Sequence, residues 1–330
     1  MVKLLIDTRN MRNIKLIVLS IALMVLIGLP LGVKNPYMLH LLIMSFVSAV
    51  LGMSFALLFS TGLISLGIAA FYATGAYASV LLVMKAGVCF WLALPLSTVI
   101  TGIIALGLGS IIVRHPGVSF CVISLVFNLF VIQVVGQFEL FGGWNGITGI
   151  ARPESLIGIG FETKTACYYL ILFLLLLVAL TFWALYSSRI GRTWSTIKLG
   201  SNLAETSGIN VYRYRLLAFV VASATAGLVG SFYAHYYQVI MPDTFGGFTS
   251  IYIQLYAVLG GLSFCIVGPV CGALIMTFIP EFLRISGEIE PIITGALLLV
   301  IVLFIPGGII GSLQKFLPLD WVSISARIKK

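Results

Sequence analysis

Residues 35–84 read NPYMLHLLIMSFVSAVLGMSFALLFSTGLISLGIAAFYATGAYASVLLVM, with no Asp, Glu, Lys or Arg from Asn35 to Met84. A helix needs about 20 apolar residues to cross the hydrocarbon of a bilayer. The stretch therefore holds two crossings, divided only by Ser60, Thr61 and Gly62. The same charge-free pattern recurs from Lys85 to Arg114, Arg114 to Glu139, Lys164 to Arg189, Arg215 to Asp243, Asp243 to Glu281 and Glu290 to Lys315.

Composition agrees with this reading. Charged residues make up 9% of the chain, against roughly 25% in a soluble domain. Hydrophobic residues reach 60% and the mean hydropathy is +1.15, more apolar surface than a soluble fold can hide. The net charge of +9 does not point to nucleic acid, because the basic residues flank apolar segments instead of clustering on one face. The five cysteines (Cys89, Cys121, Cys167, Cys265, Cys271) are scattered, lack metal-ligand spacing and read as packing residues. At the N-terminus Lys3, Arg9, Arg12 and Lys15 flank an apolar run over 14–33. That run is too long for a signal-peptide core, so it reads as a retained first span.

Together these features predict an all-α polytopic membrane protein, a single transmembrane domain over 1–330, with about ten spans; eight also satisfies the charge pattern. The spans fall near 14–33, 39–59, 64–84, 90–113, 119–136, 167–187, 215–235, 250–264, 267–283 and 291–310. The 39–59/64–84 pair, and the short glycine-rich pair around Gly260, Gly261, Gly268, Pro269 and Gly272, read equally as broken or re-entrant helices. Such irregular backbone is tolerated at membrane depth only where protein or a water-filled cavity satisfies it. Basic residues collect at the N-terminus, at Arg114, in the 188–215 loop and in the tail. An even span count puts all four on one side, so both termini are expected in the cytoplasm. The 137–166 and 236–250 loops then lie outside.

No G-x-x-x-x-G-K-[ST] phosphate loop occurs, nor H-E-x-x-H, nor G-x-S-x-G. His40, His115 and His235 stand far apart and read as packing residues. Ion-coupled transporters usually carry an ionisable residue within a span; here Glu281 and Arg284 sit only near a span end. A transport function with neither an ion site nor a nucleotide site takes its energy from a partner. No enzyme activity, cofactor or metal is expected.

The 188–215 loop is where such a partner would act. Asn202 and Glu205 have the N-x-x-E spacing of a helix start, and Gly208 suits a helix stop. They outline a short helix from Leu203 to Ser207, read either as a lever or as an ordinary capped connector. Its surroundings carry a resemblance. Gly191-Arg192, Ile197-Lys198, Ala204-Glu205, Gly208-Ile209-Asn210-Val211 and Arg213-Tyr214-Arg215-Leu216-Leu217-Ala218-Phe219 are similar to the coupling loop of the permeases of branched-chain amino acid ATP-binding-cassette (ABC) importers. Three further stretches agree, in the family's order: Thr61-Gly62-Leu63-Ile64-Ser65-Leu66-Gly67 with Gly75-Ala76-Tyr77; Gly142-Gly143-Trp144-Asn145-Gly146-Ile147-Thr148-Gly149-Ile150; and Leu259-Gly260-Gly261-Leu262 with Gly268-Pro269-Val270-Cys271-Gly272-Ala273. The Asn-Gly-Ile-Thr-Gly loop resembles the M-type permease of the heterodimer. The chain departs from the family pattern at Leu199-Gly200-Ser201, which leaves Glu205 as the loop's only acid.

The resemblance implies an inner-membrane permease for branched-chain or related amino acids or similar small polar solutes. It implies a second homologous permease, two cytoplasmic ABC ATPases and an extracytoplasmic solute-binding protein as partners. The ATPase-coupling residues would be Gly191, Arg192, Lys198, Leu203, Ala204, Glu205, Gly208, Ile209 and Asn210. Gly142, Gly143, Asn145, Gly146 and Thr148 are candidates for an external gate or docking loop, or form a plain glycine-rich turn. Ser60, Thr61, Ser65, Tyr72 and Tyr77 offer hydroxyls to a solute, or serve only close helix packing. The alternative function is a stand-alone secondary transporter or channel.

Overall fold

The computed structural model describes residues 24, 26–30, 35–154, 161, 163–262, 264–282, 295 and 308–313. Its helices are α1 (Pro36–Phe59), α2 (Ile68–Met84), α3 (Phe90–Ile112), α4 (Val118–Gln137), α5 (Lys164–Ser187), α6 (Arg189–Leu199), α7 (Ser201–Thr206), α8 (Val211–Tyr237), α9 (Gly247–Gly260), α10 (Val267–Phe282) and α11 (Gly308–Leu313). Two-residue strands β1 (Ile147–Thr148) and β2 (Val239–Ile240) pair antiparallel, Ile147 opposite Ile240. The helices α1, α3, α4, α5 and α8 are long and apolar enough to cross a membrane. The chain is an all-α, multi-pass membrane protein.

The predicted spans at 14–33 and 291–310 lie largely outside the described residues; α1 to α5 and α8 to α10 occupy the stretches read as the others. Two differences have physical causes. The span read from residue 64 becomes helical only at Ile68, because residues 60–67 are unwound. The 188–215 segment is no simple loop, since α6 and α7 fill most of it.

Burial ranks the helices. In α1, 89% of the apolar window lies inside the protein, against 28% in α3 and 22% in α4. Thus α1 is the central post, while α3 and α4 turn most of their surface outward. Asn35 starts α1 by accepting from the Tyr37 amide (3.0 Å), with Pro36 in the first turn. Around it α2 crosses α8 at backbone contact. A methyl group at Gly75 would land on the backbone of Gly227, and one at Gly230 on the Tyr72 carbonyl. The same device joins α9 to α10, where a Cβ at Gly272 would strike the Tyr256 carbonyl. Lipid tails are as apolar as leucine, so close van der Waals packing of small residues must hold such helices together. Phe46, Phe71, Phe120, Phe219 and Phe232 fill the remaining interior.

Overpacking a tight core costs typically about 1–3 kcal/mol, and at Gly75 the clash is with backbone that cannot rotate away. Gly75→Val should therefore lose most of its monodisperse, detergent-extracted protein by fluorescence-detected size-exclusion chromatography. Gly107→Val, where nothing lies within 4 Å of the added carbon, should elute like wild type.

Candidate functional site

The unwound residues 60–67 follow the buried end of α1, and several helices meet there. Ser60 and Thr61 turn their hydroxyls back onto the Leu57 and Leu58 carbonyls (2.6 and 2.7 Å). The Leu66 amide donates to Ser124 Oγ of α4 (3.0 Å), and the Gly67 amide to Ser65 Oγ (3.2 Å). The Ser65 carbonyl accepts from Gln254 Nε2 of α9 (3.4 Å). The Thr61 carbonyl accepts from Arg215 Nε of α8 (3.4 Å), and Arg215 is only 8% exposed. A buried guanidinium at the edge of a spanning helix is expensive and marks function in membrane proteins. Here it closes the backbone of the break.

The helices α6 and α7 lie against this junction. Ser188 accepts from the Ile190 amide (3.1 Å) and starts α6. Its inward face is Gly191, Trp194 and Ile197, with Gly191 packed on Tyr186. Trp194 is fully buried and donates its indole N–H to the Tyr214 carbonyl (2.9 Å). The Lys198 ammonium sits 3.9 Å above the ring of Phe59, the last residue of α1. Partial burial of that ammonium pulls its pKa below the usual lysine value, although the side chain as a whole is exposed. Helix α7 begins at Ser201 after extended Gly200, so Asn202 is not the cap that its spacing suggested. The helix thus starts two residues before Leu203, where an Asn202 cap would have begun it. Ala204 anchors α7 against Ile197 and Val211. Gly208 takes a left-handed φ of +78°, which only glycine adopts without strain, and its amide donates to the Glu205 carbonyl (2.9 Å). Asn210 then caps α8, accepting from the Arg213 amide (3.1 Å). Arg192, Leu199, Leu203 and Glu205 all face outward, and Leu199 and Leu203 are apolar side chains 79% and 72% exposed.

The candidate coupling residues thus divide. Gly191, Ala204 and Ile209 pack inward, Lys198 reaches to α1, and Arg192, Leu203 and Glu205 form the free surface. The reading from sequence missed α6 and the anchoring role of Trp194 and Arg215. The signal for α6 was present in the Ile190, Trp194, Ile197 spacing of one helix face.

The candidate path hydroxyls are not gathered into one cluster. Those of Ser60, Thr61 and Ser65 are engaged with backbone. Tyr72 packs at steep ring angles against Tyr233 (5.3 Å) and Phe245 (5.0 Å). Tyr77 lies edge-on to Phe245 (6.0 Å) and Phe141 (5.9 Å), its hydroxyl buried without a hydrogen-bond partner among the described residues. That contact joins α2 to the glycine-rich segment at the opposite end of the bundle from α6 and α7. There Gly142 and Gly143 connect two single 3-10 turns, Glu139–Phe141 and Gly143–Asn145. Gly146, at φ +72°, lies so close to the Ile240 carbonyl that a Cβ would collide with it. Thr148 belongs to β1 and Asn145 to the second turn.

A family model described as the branched-chain amino acid transport system permease component matches residues 37–305. The chain belongs to that family. The high-affinity branched-chain amino acid transport system permease protein LivM of Salmonella typhimurium is 26% identical over 275 residues, which cover 76% of this chain and 64% of that protein. The LivM protein of Escherichia coli gives the same figures. The Escherichia coli LivH protein is 32% identical over 171 residues, 51% of this chain and 54% of its own length. The chain therefore matches somewhat less than two thirds of these LivM relatives. No solved structure matches it.

Replacing a buried Trp by Ala costs about 3–5 kcal/mol. Trp194→Ala should release α6 from Tyr214, so limited proteolysis of membranes should cut within 189–208 several-fold faster than in wild type. Thr193→Ala, an outward neighbour whose hydroxyl only returns to the Arg189 carbonyl, should cleave at the wild-type rate.

Proposed function

We propose that this chain is the membrane permease subunit of an ATP-driven importer of branched-chain or closely related amino acids. It has no nucleotide site of its own and sits in the cell's inner membrane with ten spans and both termini cytoplasmic. It pairs with a second permease of its family, two cytoplasmic ABC ATPases and an extracytoplasmic solute-binding protein. The branched-chain amino acid transport named for the LivM and LivH relatives supports the solute class. Basic Arg114, held over the Tyr212 ring at 5.4 Å, shares an end with α6 and α7, which supports a cytoplasmic position for that end.

One observation carries the mechanism: an outward surface of Arg192, Leu199, Leu203 and Glu205 stands on helices anchored directly to the break after α1. An ATPase grips that surface, and closure of the nucleotide dimer moves α6 and α7 as one body. Ala204 of α7 packs on Val211 at the start of α8, so displacement of α7 reaches the helix that carries Arg215. Turning a two-state equilibrium from 1:99 to 99:1 needs about 5.5 kcal/mol of differential binding. An exposed ion pair supplies roughly 0–1 kcal/mol, so Glu205 alone cannot drive the change. The buried anchors let the whole contact with the ATPase act on the spans. The outer glycine loop, through Phe141 and Tyr77, is the external gate or docking region. Tyr72 and Tyr77 line the path while Ser60, Thr61 and Ser65 shape its break.

Glu205→Arg in the reconstituted complex should lower transport and permease-stimulated ATP hydrolysis together while the chain inserts at wild-type levels. Unchanged transport would remove the coupling role from α7.

A further inference from the structure

Helix α4 keeps only a narrow stripe inside the protein, and Ser124 and Asn128 lie on it one turn apart. Ser250 and Gln254 are spaced the same way on α9. The two pairs meet beside the unwound residues 60–67. Ser124 Oγ accepts from the Leu66 amide (3.0 Å), Gln254 Nε2 donates to the Ser65 carbonyl (3.4 Å), and Asn128 Nδ2 donates to Ser250 Oγ (3.4 Å). None of the four side chains ionises, so they form a neutral polar seam between apolar helices. Asn128 is fully buried, and its Oδ1 has no hydrogen-bond partner among the described residues. Turning the amide over would leave its nitrogen unpaired instead, because Ser250 meets one end only. A side chain kept only to fasten α4 to α9 would use both ends, since a buried polar atom left unpaired costs stability. A solute that visits the seam gives the orphaned carbonyl its partner.

The seam is covered by one ring. Five residues before Ser250, the turn Pro242–Phe245 packs against α2 and α4, and Phe245 is fully buried. Its ring centroid lies 5.0 Å from that of Tyr72, 6.0 Å from Tyr77 and 6.1 Å from Tyr233. Tyr77, whose hydroxyl also lacks a partner among the described residues, is thus a neighbour of the same ring. The turn is fastened to the start of α9, where Thr249 Oγ1 donates to the Thr244 carbonyl (2.7 Å) and the Ser250 amide to the Gly246 carbonyl (3.4 Å). Phe245, Ser250 and Gln254 therefore move with one helix, and Gln254 ties that helix to the break.

We infer that Asn128 is a solute-contacting residue of the transport path, held covered by Phe245. When the break moves, α9 carries Phe245 out from among Tyr72, Tyr77 and Tyr233. The branched aliphatic side chain of an α-amino acid takes the place of the ring, and Asn128 Oδ1 accepts a hydrogen bond from the ammonium. The inference rests on the proposed reading of the chain as an amino-acid permease.

The test uses the complete transporter in proteoliposomes, supplied with its solute-binding protein and radiolabelled L-leucine, with ATP hydrolysis and melting temperature measured on the same preparations. A hydrogen bond to a charged group corresponds to about tenfold or more. Asn128→Leu should therefore lower leucine uptake about tenfold, and its melting temperature should not fall, because an unpaired acceptor has been removed. Asn128→Asp, which keeps an acceptor for the ammonium, should restore most of the uptake. Wild-type uptake in Asn128→Leu, a melting temperature that falls along with uptake, or no recovery in Asn128→Asp overturns the contact. The cover is read in a chain whose five native cysteines are replaced by alanine. There Asn128→Cys should react with a small methanethiosulfonate several-fold faster once Phe245→Ala is added, and equal rates overturn the cover. Wild-type vesicles that hydrolyse ATP and take up leucine keep the permease reading whatever Asn128 does; wild-type vesicles that do neither overturn that reading and the inference with it.

Discussion

Backbone that leaves a helix inside packed protein has little water to turn to, and each buried amide or carbonyl left unpaired costs about 1–3 kcal/mol. Residues 60–67 carry that burden at the end of the most buried helix. Their groups are met from α4 by Ser124, from α9 by Gln254 and from α8 by Arg215. None of these helices can shift far without breaking a bond to the same short segment. The backbone-level contact of α2 with α8 at Gly75 and Gly227 tightens the arrangement further. The break is thus a junction built from necessity, and any element that pushes on it pushes on most of the bundle.

That constraint explains why α6 and α7 matter. A connector with only solvent around it could bend without effect. Here Trp194 is locked under α8, Lys198 lies on Phe59, and Arg215 reaches the Thr61 carbonyl. The exposed Leu199 and Leu203 have no partner within the described chain to cover them, as expected of a surface made to meet another subunit. At the other end, strand pairing of Ile147 with Ile240 ties the glycine loop to the end of α8. One helix, α8, therefore runs from the α6–α7 surface to the strand pair.

Much of this was legible in the sequence because membrane spanning writes itself in charge. The gap from Asn35 to Met84 called for chain buried in the protein or the membrane, and the division at Ser60, Thr61 and Gly62 falls in the unwound segment. Gly208 was readable because a left-handed stop calls for glycine. Asn202 misled: its spacing to Glu205 fits a cap, but extended Gly200 had already set the helix start. The role of Arg215 was hidden for a different reason. In sequence it is one more basic residue at a span end, and only the fold brings it to a carbonyl so distant along the chain. The cavity lined by His40, Arg152, Lys164 and Gln238 was equally silent, since these residues come from separate segments.

The central claim is that force passes from α6 and α7 to the spans through the Arg215 contact with the break. The most direct measurement is the number of ATP molecules hydrolysed per solute moved by the reconstituted complex carrying Arg215→Met, with Arg215→Lys beside it. Coupling between sites typically amounts to about 1–3 kcal/mol. The account predicts that hydrolysis continues while transport falls in Arg215→Met, raising the ratio roughly tenfold, with partial recovery in Arg215→Lys. A ratio equal to wild type in correctly inserted Arg215→Met protein would contradict it.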